Sequence, residues 1–269
     1  SITPQSRLAG SRGWVTVNGD PVVDQASDLV NGRLLGPLNA TEFGDLTAGP
    51  TSAWIGATEG GSPNNACDAW GSSVSVGGGV YGFSDRNVEF TRFSDQCEDA
   101  NRISCFEVGK NAVLAPVGTG KRLFVSPPTF VPSMASGRAT ADALCASEAS
   151  LAGLPGTYLA LLATDSEPML ARTTSTVTSQ VQRVDGTALG PLGALTGFAG
   201  FRANGTPVSE DVWTGGSVFG DAPMTCFDWS NTSGGAAGAV GNADASGNAA
   251  FRESQEGCFV AHPVWCLEQ

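Results

Sequence analysis

The sequence predicts an α+β protein of short antiparallel strands with one helix, built from a duplicated module and stapled by disulfides. Three observations predict it. The chain of 269 residues contains 36 Gly and 15 Pro but only 15% charged residues, a composition that favours many turns and short strands over long helices. Tryptophans and cysteines recur at matched spacings: Trp54 lies 13 residues before Cys67, and Trp213 lies 13 before Cys226. Only one stretch, from about Gly137 to Ala152, carries a sustained run of apolar residues at helical spacing. A hydrophobic fraction of 41%, with 13 Phe and 6 Trp, is ample for a packed core.

The first copy spans residues 1–108. It begins with Trp14-Val-Thr-Val-Asn-Gly19, which Val181-Gln-Arg-Val-Asp-Gly186 mirrors in the second copy. Each leading cysteine is followed three places on by Trp, in Cys67-Asp-Ala-Trp70 and Cys226-Phe-Asp-Trp229. Cys97 precedes Cys105 by 8 residues and Cys258 precedes Cys266 by 8; the copies then run into Phe106-Glu107 and Leu267-Glu268. So many shared offsets mark an internal repeat. Residues 109–120, with Pro116, Gly118 and Gly120, read as a linker. The second copy, 121–269, has a front end that the first lacks. It holds a strand, Arg122–Val125, and a helix with Ala141, Leu144, Cys145 and Ala149 on one face. Gly153 and Pro155 stop the helix before a second strand, Thr157–Leu162. The first copy is therefore expected to be incomplete, without the N-terminal strand and helix.

Charge narrows the partners. Lys+Arg 14 against Asp+Glu 26 gives a net charge of −12, which phosphate backbones repel, so no nucleic acid is expected. Such a surface attracts cations such as Ca²⁺ or simply keeps the protein soluble. No run of ~18 apolar residues occurs, so no membrane span is expected either. The chain opens on Ser1-Ile2-Thr3 with no basic start or apolar core, so any export signal is expected to be removed already or not included.

Residues for catalysis are sparse. His262 is the single histidine, no CxxC pair exists to build a zinc site, and no Gly-x-Ser-x-Gly elbow is present. Gly118-Thr-Gly-Lys121 has the end of a phosphate loop, but Ala115 and Arg122 stand where its first Gly and its Mg²⁺-binding hydroxyl belong. Glu98-Asp99 and Glu210-Asp211 are adjacent, so on strands they face opposite ways. The chain is read as not an enzyme. A calcium loop is the better cofactor candidate: Asn242, Asp244 and Ser246 fall at positions one, three and five, Gly247 at six, Asn248 beside it and Glu253 at twelve. Against it, position one is Asn and the flanks are not helical; a polar surface turn is the other reading. Trp54, Trp70, Trp213 and Trp229 read as core residues, because repeated modules repeat their packing. The four cysteines of the second copy allow three pairings, and spacing does not choose among them.

The ordered set Leu123-Phe-Val125, Ala141-Asp-Ala-Leu-Cys145, Leu154-Pro-Gly-Thr-Tyr158, Val212-Trp-Thr-Gly215, Cys226-Phe-Asp-Trp229 and Cys266-Leu-Glu268 resembles a C-type-lectin-like domain. More narrowly, it is similar to bacterial endostatin-like domains of exported proteins. The resemblance covers all of the second copy, and Trp54-Ile-Gly56 extends it to the first. It implies Cys145–Cys266 and Cys226–Cys258 in the second copy and Cys67–Cys97 in the first, leaving Cys105 over. It also implies a secreted, extracellular or cell-surface setting, where disulfides persist. The family's sugar site uses a Glu-Pro-Asn-like loop and a Trp-Asn-Asp-like strand. Ser62-Pro63-Asn64 and Phe93-Ser94-Asp95 stand there, so Asn64 and Asp95 remain as ligand-binding candidates while Ser replaces the loop Glu and the strand Asn.

The expected function is an extracellular structural or adhesive protein whose modules self-assemble or contact surfaces. Its first module, 1–108, would be completed by another copy of itself or by a cleaved upstream fragment bonded to Cys105. Upstream residues simply omitted from the sequence, or a buried free thiol at Cys105, are the plainer readings. A module that binds a glycan or surface protein, with Ca²⁺ as its cofactor, is the alternative function.

Overall fold

Mostly antiparallel pairing of short strands organises the described residues, which in the computed structural model are 3–47, 51–56, 67–71, 78–83, 86–87, 93–115, 117–132, 137–220, 223–233 and 235–269. The architecture is mixed α+β: short strands in sheets, few helices and three disulfides. The chain divides into two compact units, Ser1–Pro116 and Val117–Gln269. Residues 109–120, expected to be a linker, are shared between them. Lys110 accepts the Arg12 N–H and Asn111 bridges Arg12 in the first unit, whereas Val117 bridges Thr187 and the Gly118 N–H donates to Gly186 in the second.

In the first unit, the single turn α1 (Pro4–Arg7) starts behind Thr3, whose hydroxyl accepts the Ser6 N–H, the usual way an exposed helix start is satisfied. Strands β1 (Arg12–Val15) and β2 (Pro21–Gln25) form an antiparallel hairpin. Strands β3 (Ser52–Trp54), β4 (Gly78–Phe83), β5 (Phe93–Gln96) and β6 (Arg102–Ile103) make a sheet in the order β5-β4-β3-β6, with β3 and β6 parallel. The turn α2 (Cys67–Trp70) follows β3. Trp14, Val22, Val23, Leu29, Val30, Leu34 and Val80 are buried.

Asp24 ties this unit together. Its carboxylate takes the Arg12 guanidinium and the Leu114 N–H at 2.7 Å. Burial alone would raise its pKa, but the hydrogen bonds and charge of Arg12 with the Leu114 N–H outweigh that and hold it below the ordinary value. A carboxylate with a lowered folded pKa stabilises the fold above its unfolded value, ~3.9, and loses that contribution as pH falls through the folded value. Asp24→Asn is expected to flatten this acid loss. Melting temperature followed between about pH 5 and pH 2 checks it: the wild-type chain should fall more steeply than the variant.

The second unit has strands β7 (Lys121–Val125), β8 (Tyr158–Ala160), β9 (Gln180–Gln182), β10 (Ala188–Pro191), β11 (Asp211–Trp213), β12 (Ala237–Asn242), β13 (Ser254–Gly257) and β14 (Trp265–Glu268), with helix α3 (Gly137–Leu151) and the turn α4 (Cys226–Trp229). One sheet runs β10-β9-β7-β14-β8 and the other β11-β12-β13. The buried face of α3 is made of small residues, Ala141, Cys145 and Ala149, at the spacing that aligns side chains along one helical face. Small side chains allow close approach to β8 and β14, against which α3 packs. Asp142 fixes the helix from its flank, accepting the Ala160 N–H at 2.9 Å and pairing with Arg172.

The two units repeat the same bonds. The Ile55 and Gly56 N–H groups both donate to Val80, as Thr214 and Gly215 donate to Ala239. A Cβ on Gly79 would meet the Trp54 ring at 2.5 Å and the Cys67 sulfur at 3.0 Å; one on Gly238 would meet Trp213 at 2.7 Å and the Cys226 sulfur at 2.9 Å. Glycine is thus required at both positions, because a strand passes directly over a Trp ring and a disulfide. The three bridges are Cys67–Cys97, Cys145–Cys266 and Cys226–Cys258.

Candidate functional site

The turn α4 is left-handed. Cys226, Phe227, Asp228 and Trp229 have φ of 53°, 55°, 53° and 64°, a conformation that costs L-residues about 1–2 kcal/mol each. Several contacts hold it. The Trp229 N–H donates to the Thr225 carbonyl at 2.7 Å, Thr225 Oγ1 accepts the Asp228 N–H at 3.2 Å, and Asp228 Oδ1 accepts the Asp165 N–H at 2.6 Å. The Trp229 indole donates to Ala163 at 2.7 Å and its ring packs against Phe130 and Trp213. In the first unit Cys67 and Trp70 also have positive φ. Phe227 is exposed, so Phe227→Gly removes strain of about 1–2 kcal/mol and adds a chain-entropy cost of about 0.5–1 kcal/mol. The expected outcome is a gain of about 0.5–1 kcal/mol, read from urea midpoints.

The corresponding surfaces differ sharply around the last cysteine of each unit. In the second unit β14 is central: Cys266 pairs with Phe124 of β7 on one side and Ala160 of β8 on the other. Its sulfur is bonded to Cys145 of α3. Nearby, the Ser126 N–H donates to the Val264 carbonyl and the Val264 N–H donates to the Ser126 hydroxyl, both at 2.9 Å. Glu268 accepts the Arg122 N–H at 2.9 Å and pairs with its guanidinium at 3.2 Å. In the first unit Ser104, Cys105, Phe106 and Glu107 form no strand, and Cys105 is a free, exposed thiol. Phe106 packs edge-on against Trp14, so one face of this segment is covered. On the other, Ile103 is 74% exposed where Val264 is fully buried, and Trp70 is 51% exposed where Trp229 is fully buried.

Two expectations therefore change. Cys105 is not tucked away as a buried thiol, and Trp70 is not a core residue; among the described residues, the elements that cover their counterparts occur in the second unit alone. The sequence reading also missed the pairing of Glu268 with Arg122. Its signal was the Glu following each last cysteine.

The remaining candidates are scattered. Asn64 lies outside the described residues. Asp95, on β5, accepts the Gln96 N–H and hydrogen-bonds Asp99; that shared bond holds Asp95 below and Asp99 above the ordinary carboxylate range. In the loop read for calcium, Asn242 ends β12 and its side-chain oxygen accepts the Asp244 N–H at 2.8 Å. Asp244 is buried, Ser246 precedes a 3₁₀ turn that includes Asn248, and Glu253 is exposed. Among the described residues no group of three or more His, Cys, Asp or Glu converges as a metal site would. His262 sets its ring against Trp213 at 4.9 Å. A depression of about 400 Å³ between Pro127, Glu148, Leu151 and Arg202 presents an arginine already engaged by Glu210 and the Ser126 carbonyl. Among the described residues no helix is long and apolar enough to cross a membrane.

No family model and no curated protein matches this chain.

Proposed function

We propose that the chain is an exported structural or adhesive protein of two lectin-like modules, the first of which is completed by another polypeptide segment. The observation that carries this reading is the contrast between Ser104–Glu107, which joins no strand, and β14, which is flanked on both sides. A segment that joins no strand, beside exposed apolar side chains, is the usual template for strand addition. The three disulfides support an oxidising, extracellular setting. The role is read as non-catalytic, and the seating of the single histidine, His262, against an indole supports that reading.

The intact mass of native material, with and without reductant, tests the reading. The expected result is a mass above that of the single chain, released on reduction. A mass unchanged by reduction, together with no retention on immobilised copies of the protein, would overturn it.

A ligand-binding role is the second reading, and one observation favours it. Phe219, in the loop following the Gly215 turn, is exposed, as aromatic rings that contact ligands are. Saturable binding on a glycan array, lost in Phe219→Ala, would put this reading first.

A further inference from the structure

We propose that the first unit carries a docking site for one kind of occupant: a strand–helix segment with a basic residue on its strand and a single cysteine on a small-residue face of its helix. This rests on reading residues 1–116 as the incomplete counterpart of the second unit. The second unit shows what covers each exposed position. Val264, counterpart of Ile103, is bonded through both backbone groups to Ser126, which directly follows β7. Cys266, counterpart of Cys105, is bonded to Cys145 on α3. Trp229, counterpart of Trp70, is capped by Phe130 and the Ala163 carbonyl. Glu268, its side chain 20% exposed beside Arg122, matches Glu107, whose side chain is 68% exposed beside Lys110. All four covering groups come from one continuous stretch, residues 121–163. The uncovered positions are therefore one surface with one shape of partner, and the free thiol is only one of its four marks.

A second copy of the chain is not the occupant. Its own stretch of this kind, Lys121–Ala163, is already built into β7, α3 and β8 of its second unit, and Cys145 is spent on Cys266. Bond formation is a thiol–disulfide exchange: the Cys105 thiolate attacks a mixed disulfide on the partner cysteine, a new S–S bond forms, and the original thiol leaves with the electron pair. A disulfide-bearing oxidoreductase is the class of oxidant that sets up such a mixed disulfide.

The probe is a synthetic peptide with the sequence of residues 121–163, its cysteine carried as a thionitrobenzoate mixed disulfide, mixed with the whole chain. Released thionitrobenzoate reports the exchange. The expected rate is at least about tenfold above that of a scrambled peptide carrying the same activated cysteine, because docking raises the local thiol concentration. Adduct formation should vanish in Cys105→Ser. A Cys→Ser peptide should still shift tryptophan emission to the blue, and that shift should disappear in Trp70→Phe. Equal rates for the two peptides, or an adduct with no emission shift, would overturn the site. Selective capture by a protein that is natively a lone, non-adhesive chain would leave the site standing and remove the adhesive role. Adhesion without selective capture would do the reverse.

Discussion

Replacing Cys145 and Cys266 together with alanine is expected to remove about 5 kcal/mol from the second unit. The bond closes a stretch of 121 residues, and in the chain-entropy view the contribution grows with the logarithm of loop length. Since a domain is stable by only about 5–15 kcal/mol, the change should remove between a third and all of that stability. The same change at Cys226 and Cys258, a separation of 32, is expected to cost about 3.5–4 kcal/mol. Urea unfolding followed by tryptophan fluorescence measures both. The control lies in the other unit: Cys105→Ala removes an exposed, unbonded thiol and is expected to change stability by less than about 0.5 kcal/mol. A cost at Cys105 comparable with that at Cys266 would mean the first unit already buries this position.

Much of this asymmetry was legible in the residues, and for a physical reason. A disulfide and a Trp ring packed under a strand demand fixed spacings and a nearby glycine, so the repeat survives in the sequence as Trp54/Trp213, Cys67/Cys226 and Gly79/Gly238. The helix was equally readable, since Ala141, Cys145 and Ala149 share one face and Gly153 ends it. Which sulfurs join is a matter of tertiary geometry, and spacing left it open. Burial was less readable. Trp70 and Trp229 occupy equivalent places, yet their exposure is decided by Phe130 and Ala163, residues distant in the chain. The left-handed turn at Cys226-Phe-Asp-Trp229 gave no signal at all, because none of its four residues is the glycine that such φ values favour. Pairing of Glu268 with Arg122 was hidden for a similar reason: the partners lie at opposite ends of the second unit. The calcium loop shows the opposite case. Its spacing fits, but Asn242 uses its oxygen in a local turn, and Asp244 is buried while Glu253 is exposed.

Trp229→Ala is expected to cost the second unit about 3–5 kcal/mol. The indole is fully buried, donates to Ala163 and closes the underside of the left-handed turn, so its loss leaves a cavity and an unpaired carbonyl together. The same substitution at Trp70 should cost less, about 2–3 kcal/mol, because that residue is already half exposed and only its covered portion contributes. Measured by urea unfolding of the two variants, the difference reports directly on which unit has its covering segment. Once the peptide of residues 121–163 is bonded to Cys105, the cost at Trp70 should rise toward that at Trp229, because the added segment removes the ring from water. Equal costs in the two free units would show that Trp70 is buried without help, and the first unit would then need no partner to close it.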